Sequence, residues 1–224
     1  MQLNLAELSP GQRYHVLSSL VVPRPIAWVT TLNENGQVNA APFSYFQLMG
    51  ENPPLVVLGI GKRADGSAKD SFRNIRRTRE FVINMVTETN AEWMNLCATP
   101  FPPDVSEVEA LGLKTEPSVL VKPPRLSVAP AHLEGRELQT LLIGGNQVVM
   151  GELLAVHIRD EFIDADTLRV HTEEMGMIGR LQGGEAGGYC RTREPFHMKR
   201  LTYAEWLGVA DGTPAEGSKT SPEK

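Results

Sequence analysis

Short runs of β-branched and apolar residues alternate with turn residues in the first part of the chain. The runs "PRPIAWVTTL" (23–32) and "QVNAAPF" (37–43) flank "NENG", a turn signal, so this pattern predicts a β-hairpin. In "NPPLVVLGIG" (52–61) the paired prolines exclude a helix, and the apolar residues that follow predict a buried strand. The run "EFVINMV" (80–86) predicts a further strand.

Four stretches carry helix signals. "SPGQRYHVLSSL" begins with Ser9 as a candidate N-cap and has Pro10 at the first helical position. Farther along, Ser67 or Asp70 is expected to cap a helix that runs through "SFRNIRRT". "TETNAEWMNLCAT" has apolar residues at helical spacing and is ended by "PFPP", while "DVSEVEALGLKTEPS" predicts a short helix and a loop.

The second half of the chain is richer in strand signals. Residues 126–158 predict two or three strands, and "DADTLRV" (164–170) predicts a turn followed by one more strand. Many antiparallel strands with few helices favour a closed or nearly closed β-barrel with helical insertions. We expect one domain over residues 1–207, followed by a tail (208–224) that is too small and polar to order itself and is predicted to be disordered.

Composition excludes several classes of protein. The 224 residues are 41% hydrophobic and 22% charged, as in an ordinary globular protein that builds its own core. The formal net charge of −5 gives no electrostatic footprint for nucleic-acid binding. No apolar run approaches the roughly 20 residues that span a bilayer, and the N-terminus has no signal-peptide pattern, so we expect a cytoplasmic protein without membrane contact.

The reactive residue types form no familiar catalytic or metal motif. Cys97 and Cys190 lie far apart without a CxxC pair, so we expect two free thiols in a reducing compartment, with a disulfide as the alternative. The five histidines have no metal-ligand spacing, and we predict no metal site. A P-loop and a GxGxxG after a strand are also missing. The basic run 73–79 is typical of a solvated helix face, although it could also steer an anionic cofactor.

Three short pieces of the first hundred residues could form one binding site. They are "VTT" (29–31), "NAAPFSYF" (39–46) and "KDSFRN" (69–74), and the predicted hairpin brings the first two side by side. Each also has an ordinary structural explanation, because Thr is common in strands, Ser and Asp cap helices, and aromatic rings fill cores. The residues alone therefore leave the site open.

The chemistry of these pieces would suit a flat ligand with a phosphate. A helix N-terminus with Lys69 and a serine nearby is suited to a phosphate group. Small residues such as Ala40 and Ala41 would let a flat ring lie against the backbone, and Phe43 would supply a wall. Ser44 and nearby backbone amides could bond the edge of a heteroaromatic ring.

The order of these motifs resembles the flavin reductase-like family of FMN-binding split-barrel proteins, which includes flavoredoxin-like members. The family pattern of "RPI-x-x-VTT", "APFS-x-F", a "PP" strand, "KD[ST]-x-x-N" and "F-x-x-N" appears here in order over residues 23–86. The Gly151-Glu152 step in "VVMGELLAVHI" and the later "GGYCRT" resemble further family motifs. Each motif alone is weak, whereas the ordered set is specific.

The resemblance implies a mainly β fold, namely a six-stranded antiparallel Greek-key split β-barrel with flanking helices, and a homodimer with FMN near the subunit interface. It implies no acid–base residue, because the chemistry belongs to the cofactor. By position match, the flavin ring and ribityl chain are expected beside Thr30, Thr31, Ala41, Pro42, Phe43 and Ser44. The ribityl phosphate is expected near Lys69, Asp70 and Ser71, with Asn74 supporting that turn.

The function implied is that of an FMN-dependent oxidoreductase. NADH or NADPH would reduce the bound flavin, and the electrons would pass to free flavin, oxygen, a partner monooxygenase or another small acceptor. Two alternatives stay open. One is an FMN-binding electron carrier or flavin-holding protein without nicotinamide activity, because one fold hosts both functions. The other is an oxidase of a phosphorylated pyridine substrate on a related barrel, which the "APFS" and "KDS" motifs fit less well.

Overall fold

The computed structural model describes residues 1–102, 105–183 and 187–210. The chain divides into two compact units, Met1–Glu194 and the segment that starts at Pro195. Most of the predicted disordered tail, residues 211–224, lies outside the described residues, so that prediction and the proposed domain boundary stay predictions.

The larger unit contains the predicted hairpin and helices together with several short strands that the sequence pattern did not indicate. Its helices are α1 Pro10–Leu20, α2 Asp70–Thr78, α3 Ala91–Leu96, α4 Glu107–Ala110 and α5 Thr172–Met175, and the second unit contains α6, Tyr203–Ala210. Its strands are β1 Ala27–Leu32, β2 Val38–Phe43, β3 Phe46–Glu51, β4 Pro54–Ile60, β5 Glu80–Met85, β6 Thr115–Glu116, β7 Arg125–Leu126, β8 Ala131–Ile143, β9 Asn146–Ile158, β10 Ile178–Arg180 and β11 Tyr189–Arg191.

Seven of these strands form one antiparallel sheet in the order β2-β1-β5-β8-β9-β4-β3. The expectation of a strand-rich antiparallel fold is confirmed, with one strand more than the six expected. β10 with β11 and β6 with β7 form two small separate sheets.

A two-residue corner makes the sheet curl. β2 and β3 stand at opposite ends of the strand order, yet only Ser44 and Tyr45 separate them in the chain. The Tyr45 carbonyl accepts a hydrogen bond from the Gly59 N–H (2.6 Å), which ties the corner to β4. The two edges of the sheet therefore come together at this corner, although no ladder pairs β2 with β3 in the part of the chain that the structure describes.

Several local predictions are confirmed and others are wrong. The β1–β2 hairpin forms around the expected turn, and Ser9 caps α1 in a reciprocal capping box with Gln12. The predicted strand within 164–170 is wrong, because the described chain there pairs only through an isolated bridge from Ile163 to Val170. The predicted cap of α2 is also wrong: Lys69 is the N-cap, and its side chain makes no capping hydrogen bond.

Alternation along the strands divides the buried side chains between two clusters. Ala27 and Val29 of β1 belong to a cluster with Phe81 and other apolar residues of the sheet. Trp28, between them in sequence, belongs to a second cluster with residues of α3 and α4. β1 is thus buried on both faces, which explains its nearly continuous apolar sequence.

Two glycines make room for Phe81 in the first cluster. A Cβ added to Gly135 of β8 or to Gly151 of β9 would lie 2.5 Å from atoms of the Phe81 ring, closer than carbon atoms pack. The ring therefore occupies the space of two absent side chains, and the glycines serve packing rather than backbone flexibility.

Candidate functional site

The end of β2 separates two clefts. Pro42, Phe43 and Ala98 line both of them. The first, the α2 cleft, has a volume of about 540 Å³ and extends to the beginning of α2. The second, the α1 cleft, has a volume of about 620 Å³ and extends past Tyr14 of α1 to Tyr189 of β11. Both volumes lie in the range of small-molecule sites.

Lys69 forms the cationic part of the α2 cleft. Its Nζ lies 5.4 Å from the centroid of the Phe43 ring, and no described carboxylate forms an ion pair with it. Burial, and secondly repulsion from Arg63, lower the pKa of the Lys69 ammonium. The first N–H groups of an α-helix lack partners within the helix, and no side chain caps α2. Lys69 and the start of α2 therefore offer an anion both positive charge and N–H donors.

The Asp70 carboxylate is already paired with cations. Arg63 and Arg73 each form an ion pair with it. Because these two guanidinium groups compensate its charge, Asp70 organises the start of α2 without opposing an anion at Lys69.

A chain of hydrogen bonds lies beneath the α2 cleft. Asn39 Oδ1 accepts from the Ser71 hydroxyl (2.9 Å) and the Thr31 hydroxyl (3.3 Å). Thr31 Oγ1 in turn accepts from Asn74 Nδ2 (3.0 Å). Thr31, Ser71 and Asn74, all predicted site residues, are thus brought together as buried residues that are joined through Asn39 and Thr31.

Glu107 is a residue of this site that sequence reasoning missed. It comes from α4, is only 6% exposed, and accepts from Asn39 Nδ2 (2.8 Å to each oxygen) and from the Ala40 N–H (3.0 Å). Burial raises the pKa of the Glu107 carboxyl, while the bonds from Ala40 and Asn39 oppose that rise. No local signal identifies it, because Glu in a short helix is usually solvated.

Thr30 and Ser44 contact other parts of the chain. The Thr30 hydroxyl donates to the Pro124 carbonyl (2.6 Å) and accepts from Asn84 Nδ2 (3.3 Å), so it faces away from both clefts. Ser44 lines the α1 cleft, and its Oγ accepts from Arg24 Nε (3.4 Å). Direct contact of either side chain with a ligand stays a prediction.

Two tyrosines and an arginine of the α1 cleft were also missed. The Arg180 guanidinium lies over the Tyr189 ring, 4.7 Å from its centroid, and Tyr14 of α1 lines the same cleft. The family-like "GGY" run pointed to Tyr189 in general terms, but nothing in the sequence connected it to Tyr14, which precedes it by 175 residues.

Cys97 lines the α2 cleft and is almost fully buried. Burial raises the pKa of its thiol to about 12. A thiol that stays protonated near neutral pH is a poor nucleophile, so Cys97 contributes packing to the cleft wall. The structure contains both cysteines as free thiols.

Comparison with known proteins identifies the family. The model of the "Flavin reductase like domain" matches residues 18–178, which is more than half of the chain. This protein belongs to the flavin reductase-like family. The family model covers every residue of the α2 cleft, and the expected resemblance is confirmed.

Relatives and solved structures extend the match over most of the chain. An uncharacterised protein of Deinococcus radiodurans is 43% identical over 208 residues, 91% of each chain. The 2-nitrobenzoate 2-nitroreductase NbaA of Pseudomonas fluorescens is 36% identical, with a TM-score of 0.81 over 91% of this chain and 98% of that one. Component B of the Bacillus cereus nitrilotriacetate monooxygenase is 27% identical, with a TM-score of 0.83 over 88% and 98%.

A fold match supports the expected architecture. A Shewanella frigidimarina protein described as a putative flavin reductase with a split barrel domain has a TM-score of 0.74 to this chain at 22% identity, over 91% of this chain and 99% of that one. At this identity the match shows the fold alone. This chain therefore shares the fold of a protein that is described as having a split barrel domain.

The described residues contain neither a membrane-spanning helix nor a cluster of metal ligands. None of the helices there is long and apolar enough to cross a membrane. Within the same ranges, no three His, Cys, Asp or Glu side chains are grouped as metal ligands would be.

Proposed function

We propose that this protein is an FMN-dependent oxidoreductase of the flavin reductase type, in which NADH or NADPH reduces bound flavin and the electrons pass to a small acceptor or a partner. The observation that carries the proposal is the pair of clefts that meet at Pro42 and Phe43, one of which ends at Lys69 and the uncapped start of α2. Membership of the flavin reductase-like family supports it.

The α2 cleft fits the phosphate end of FMN. A partly buried ammonium without a carboxylate partner in the described chain is costly unless an anion reaches it, and Lys69 is such a group. The positive end of the α2 dipole adds to the attraction, and Arg63 and Arg73 keep Asp70 neutralised. The proposal therefore keeps Lys69, Asp70 and Ser71 at the phosphate, with Asn74 as support.

The end of β2 fits the flat part of the cofactor. Ala41 has a small side chain, Pro42 cannot donate a ladder hydrogen bond, and Phe43 offers an apolar ring edge to both clefts. Ser44 completes the proposed contact surface, and the fully buried Thr30 and Thr31, which line neither cleft, support it from β1. When bound, flavin supplies the redox chemistry, accepting a hydride from a nicotinamide and passing electrons on.

The role of the protein in this proposal is to bind, orient and exclude water. The α1 cleft opens beside Phe43 and has the aromatic walls Tyr14 and Tyr189, so it can hold a nicotinamide or an electron acceptor next to the flavin. Access to NADH and NADPH accords with the cytoplasmic location that we propose.

Two similar proteins suggest what could accept the electrons. The Bacillus cereus protein is a monooxygenase component, and the Pseudomonas fluorescens protein is a nitroreductase. A partner monooxygenase or a small acceptor that enters the α1 cleft is therefore proposed for this protein.

The proposal is tested by an absorbance spectrum of the protein incubated with FMN and freed of excess ligand. We expect flavin bands near about 375 and 450 nm, and we expect them to bleach when NADH or NADPH is added without oxygen. Bands that persist with both nucleotides would favour the electron carrier instead. A protein that retains no flavin would contradict the proposed site as a whole.

We also propose that the protein is a homodimer. Large apolar side chains are exposed on β3 and at the β8–β9 turn, among them Leu48, Met49, Leu142 and Ile143. Apolar patches of this kind mark interaction sites more often than solvent-facing surface. Light scattering during gel filtration should give twice the mass of one chain, and a single-chain mass at micromolar concentration would refute the dimer.

A further inference from the structure

Glu107 is a buried carboxyl group that the proposed chemistry does not use. Both of its oxygens accept from Asn39 Nδ2, and one also accepts from the Ala40 N–H. Asn39 in turn accepts a hydrogen bond from Ser71 at the start of α2. A role for Glu107 in cofactor binding rests on the proposed function, because it requires that FMN binds in the α2 cleft.

Both Glu107 oxygens accept hydrogen bonds, as those of an ionised carboxylate do, and this sets the direction of every bond in the network. A carboxylate only accepts hydrogen bonds, so the Asn39 amide must turn its NH₂ toward Glu107. Asn39 Oδ1 then faces α2 and β1 and accepts from the hydroxyls of Ser71 and Thr31. Thr31 Oγ1, having donated its proton, is free to accept from Asn74.

The orientation of the Asn39 amide determines the hydrogen bond that the Ser71 hydroxyl makes. Its hydroxyl proton goes to Asn39, and the side chain is 1% exposed, so the hydroxyl anchors the first turn of α2 instead of reaching into the cleft. The backbone N–H groups of that turn remain for a ligand. Their position depends on the anchor, because Asn39 comes from β2 and not from the helix.

We propose that Glu107 is a positioning residue of the cofactor site, which orients Asn39 so that Asn39 fixes the first turn of α2 for the phosphate of FMN. Glu107 also lines the α2 cleft, but both of its oxygens accept from Asn39 and one also accepts from the Ala40 N–H. In this proposal Glu107 therefore acts through Asn39 and makes no direct contact with the phosphate. Its effect is therefore confined to ligands that carry the phosphate.

Two alternative roles of Glu107, as a negative charge near the phosphate or as a residue that positions Asn39, predict opposite effects of Glu107→Gln on FMN affinity. If Glu107 acted only as a negative charge near the phosphate, its removal would tighten FMN binding. If Glu107 positions Asn39, the new NH₂ group faces the NH₂ group of Asn39, and the Asn39 amide must reverse or lose a bond. If the amide reverses, Ser71 loses its acceptor; if it does not, Asn39 loses one of its two contacts with residue 107 and is held less firmly. In both cases the first turn of α2 is less well fixed, and FMN binding weakens.

The experiment measures the dissociation constants of FMN and riboflavin, which lacks the phosphate. We expect Glu107→Gln to raise the constant for FMN roughly tenfold, the equivalent of about one hydrogen bond to a charged group, and to leave that for riboflavin within about twofold. Glu109→Gln, on the same helix but exposed, removes the same charge and should change neither constant.

A second variant exchanges the two functional groups. In Glu107→Gln with Asn39→Asp, the glutamine NH₂ can donate to the new carboxylate, and the glutamine oxygen can accept from the Ala40 N–H. The aspartate then accepts from Ser71 and Thr31, as Asn39 does now. We expect this double variant to recover most of the lost FMN affinity, although Asn39→Asp alone puts two carboxylates in contact and lowers it.

The outcomes separate this inference from the proposed function. A wild-type protein that binds neither flavin overturns the proposed function. If the wild type binds FMN but Glu107→Gln leaves FMN affinity unchanged, strengthens it, or weakens both flavins equally, only the positioning role is overturned. If Glu107→Gln does not fold, the exchanged double variant provides the test. It must fold and keep the wild-type ratio of the dissociation constants of FMN and riboflavin. A changed ratio refutes the positioning role of Glu107.

Discussion

Replacing Lys69 with methionine is expected to weaken FMN binding by roughly ten- to a hundredfold, the range of hydrogen bonds to charged groups. Methionine keeps the apolar stem against Phe43 and removes only the ammonium, which no described carboxylate compensates. Riboflavin should bind the variant and the wild type within about twofold, because it has no phosphate to pair with Lys69. Titration of the flavin fluorescence with protein measures both constants.

The control for this variant is Lys114→Met, which removes an exposed lysine outside both clefts and should leave FMN affinity unchanged.

The dependence of FMN affinity on pH follows from the burial of Lys69, which lowers the pKa of its ammonium group. Wild-type FMN affinity should fall as pH rises through that lowered pKa, since the neutral amine no longer attracts phosphate. Lys69→Arg should not show this fall, because a guanidinium stays charged. Equal losses for FMN and riboflavin would contradict the assignment of Lys69 to the phosphate.

The second large effect is expected on stability, from Gly151→Ala. The added Cβ would lie 2.5 Å from the Phe81 ring and 3.4 Å from the Arg136 carbonyl oxygen. Overfilling a packed core costs about 1–3 kcal/mol, and the Phe81 ring is fully buried. At about 2–4 °C per kcal/mol for a chain of this size, we expect the unfolding midpoint to fall by roughly 2–12 °C. Differential scanning fluorimetry without flavin measures it.

Two comparisons isolate the clash. Gly11→Ala adds the same methyl group in α1, where nothing lies within 4 Å, and should be neutral or slightly stabilising in a helix. Phe81→Leu combined with Gly151→Ala should recover part of the loss, because a smaller side chain leaves room for the methyl group. A midpoint for Gly151→Ala within about 1 °C of wild type, by the size scaling of such shifts, would mean that the ring moves freely and that the packing argument fails.

Local sequence signals predicted the parts of the fold that depend on neighbours in the chain. The β1–β2 hairpin was predictable because one turn and two apolar runs specify it, and α1 because Ser9 and Pro10 mark its start. β3 was missed because four of its six residues are exposed and show no alternation. Its strand conformation comes from pairing with β4, which is a tertiary effect on a weak local pattern.

The candidate site likewise has residues that local motifs predicted and residues that only the folded chain brings in. The motif residues from Ala41 to Ser44 and from Lys69 to Ser71 are each local, and the structure brings both groups to adjoining clefts. Glu107 could not be predicted, because its partner Asn39 is 68 residues away and only the folded chain joins them. The direction of the Thr30 hydroxyl, away from both clefts, could not be predicted either, since the carbonyl that accepts its proton is 94 residues away.

The corner at Ser44 and Tyr45 links cofactor supply to the amount of folded protein. The cofactor is proposed to bind where the two edges of the sheet come together, so only the folded chain offers the complete site. Mass action then adds stability of about 2.7 kcal/mol when free cofactor is at a hundred times its dissociation constant. Cells short of riboflavin would therefore hold a less stable form of this protein and lose it sooner to proteolysis.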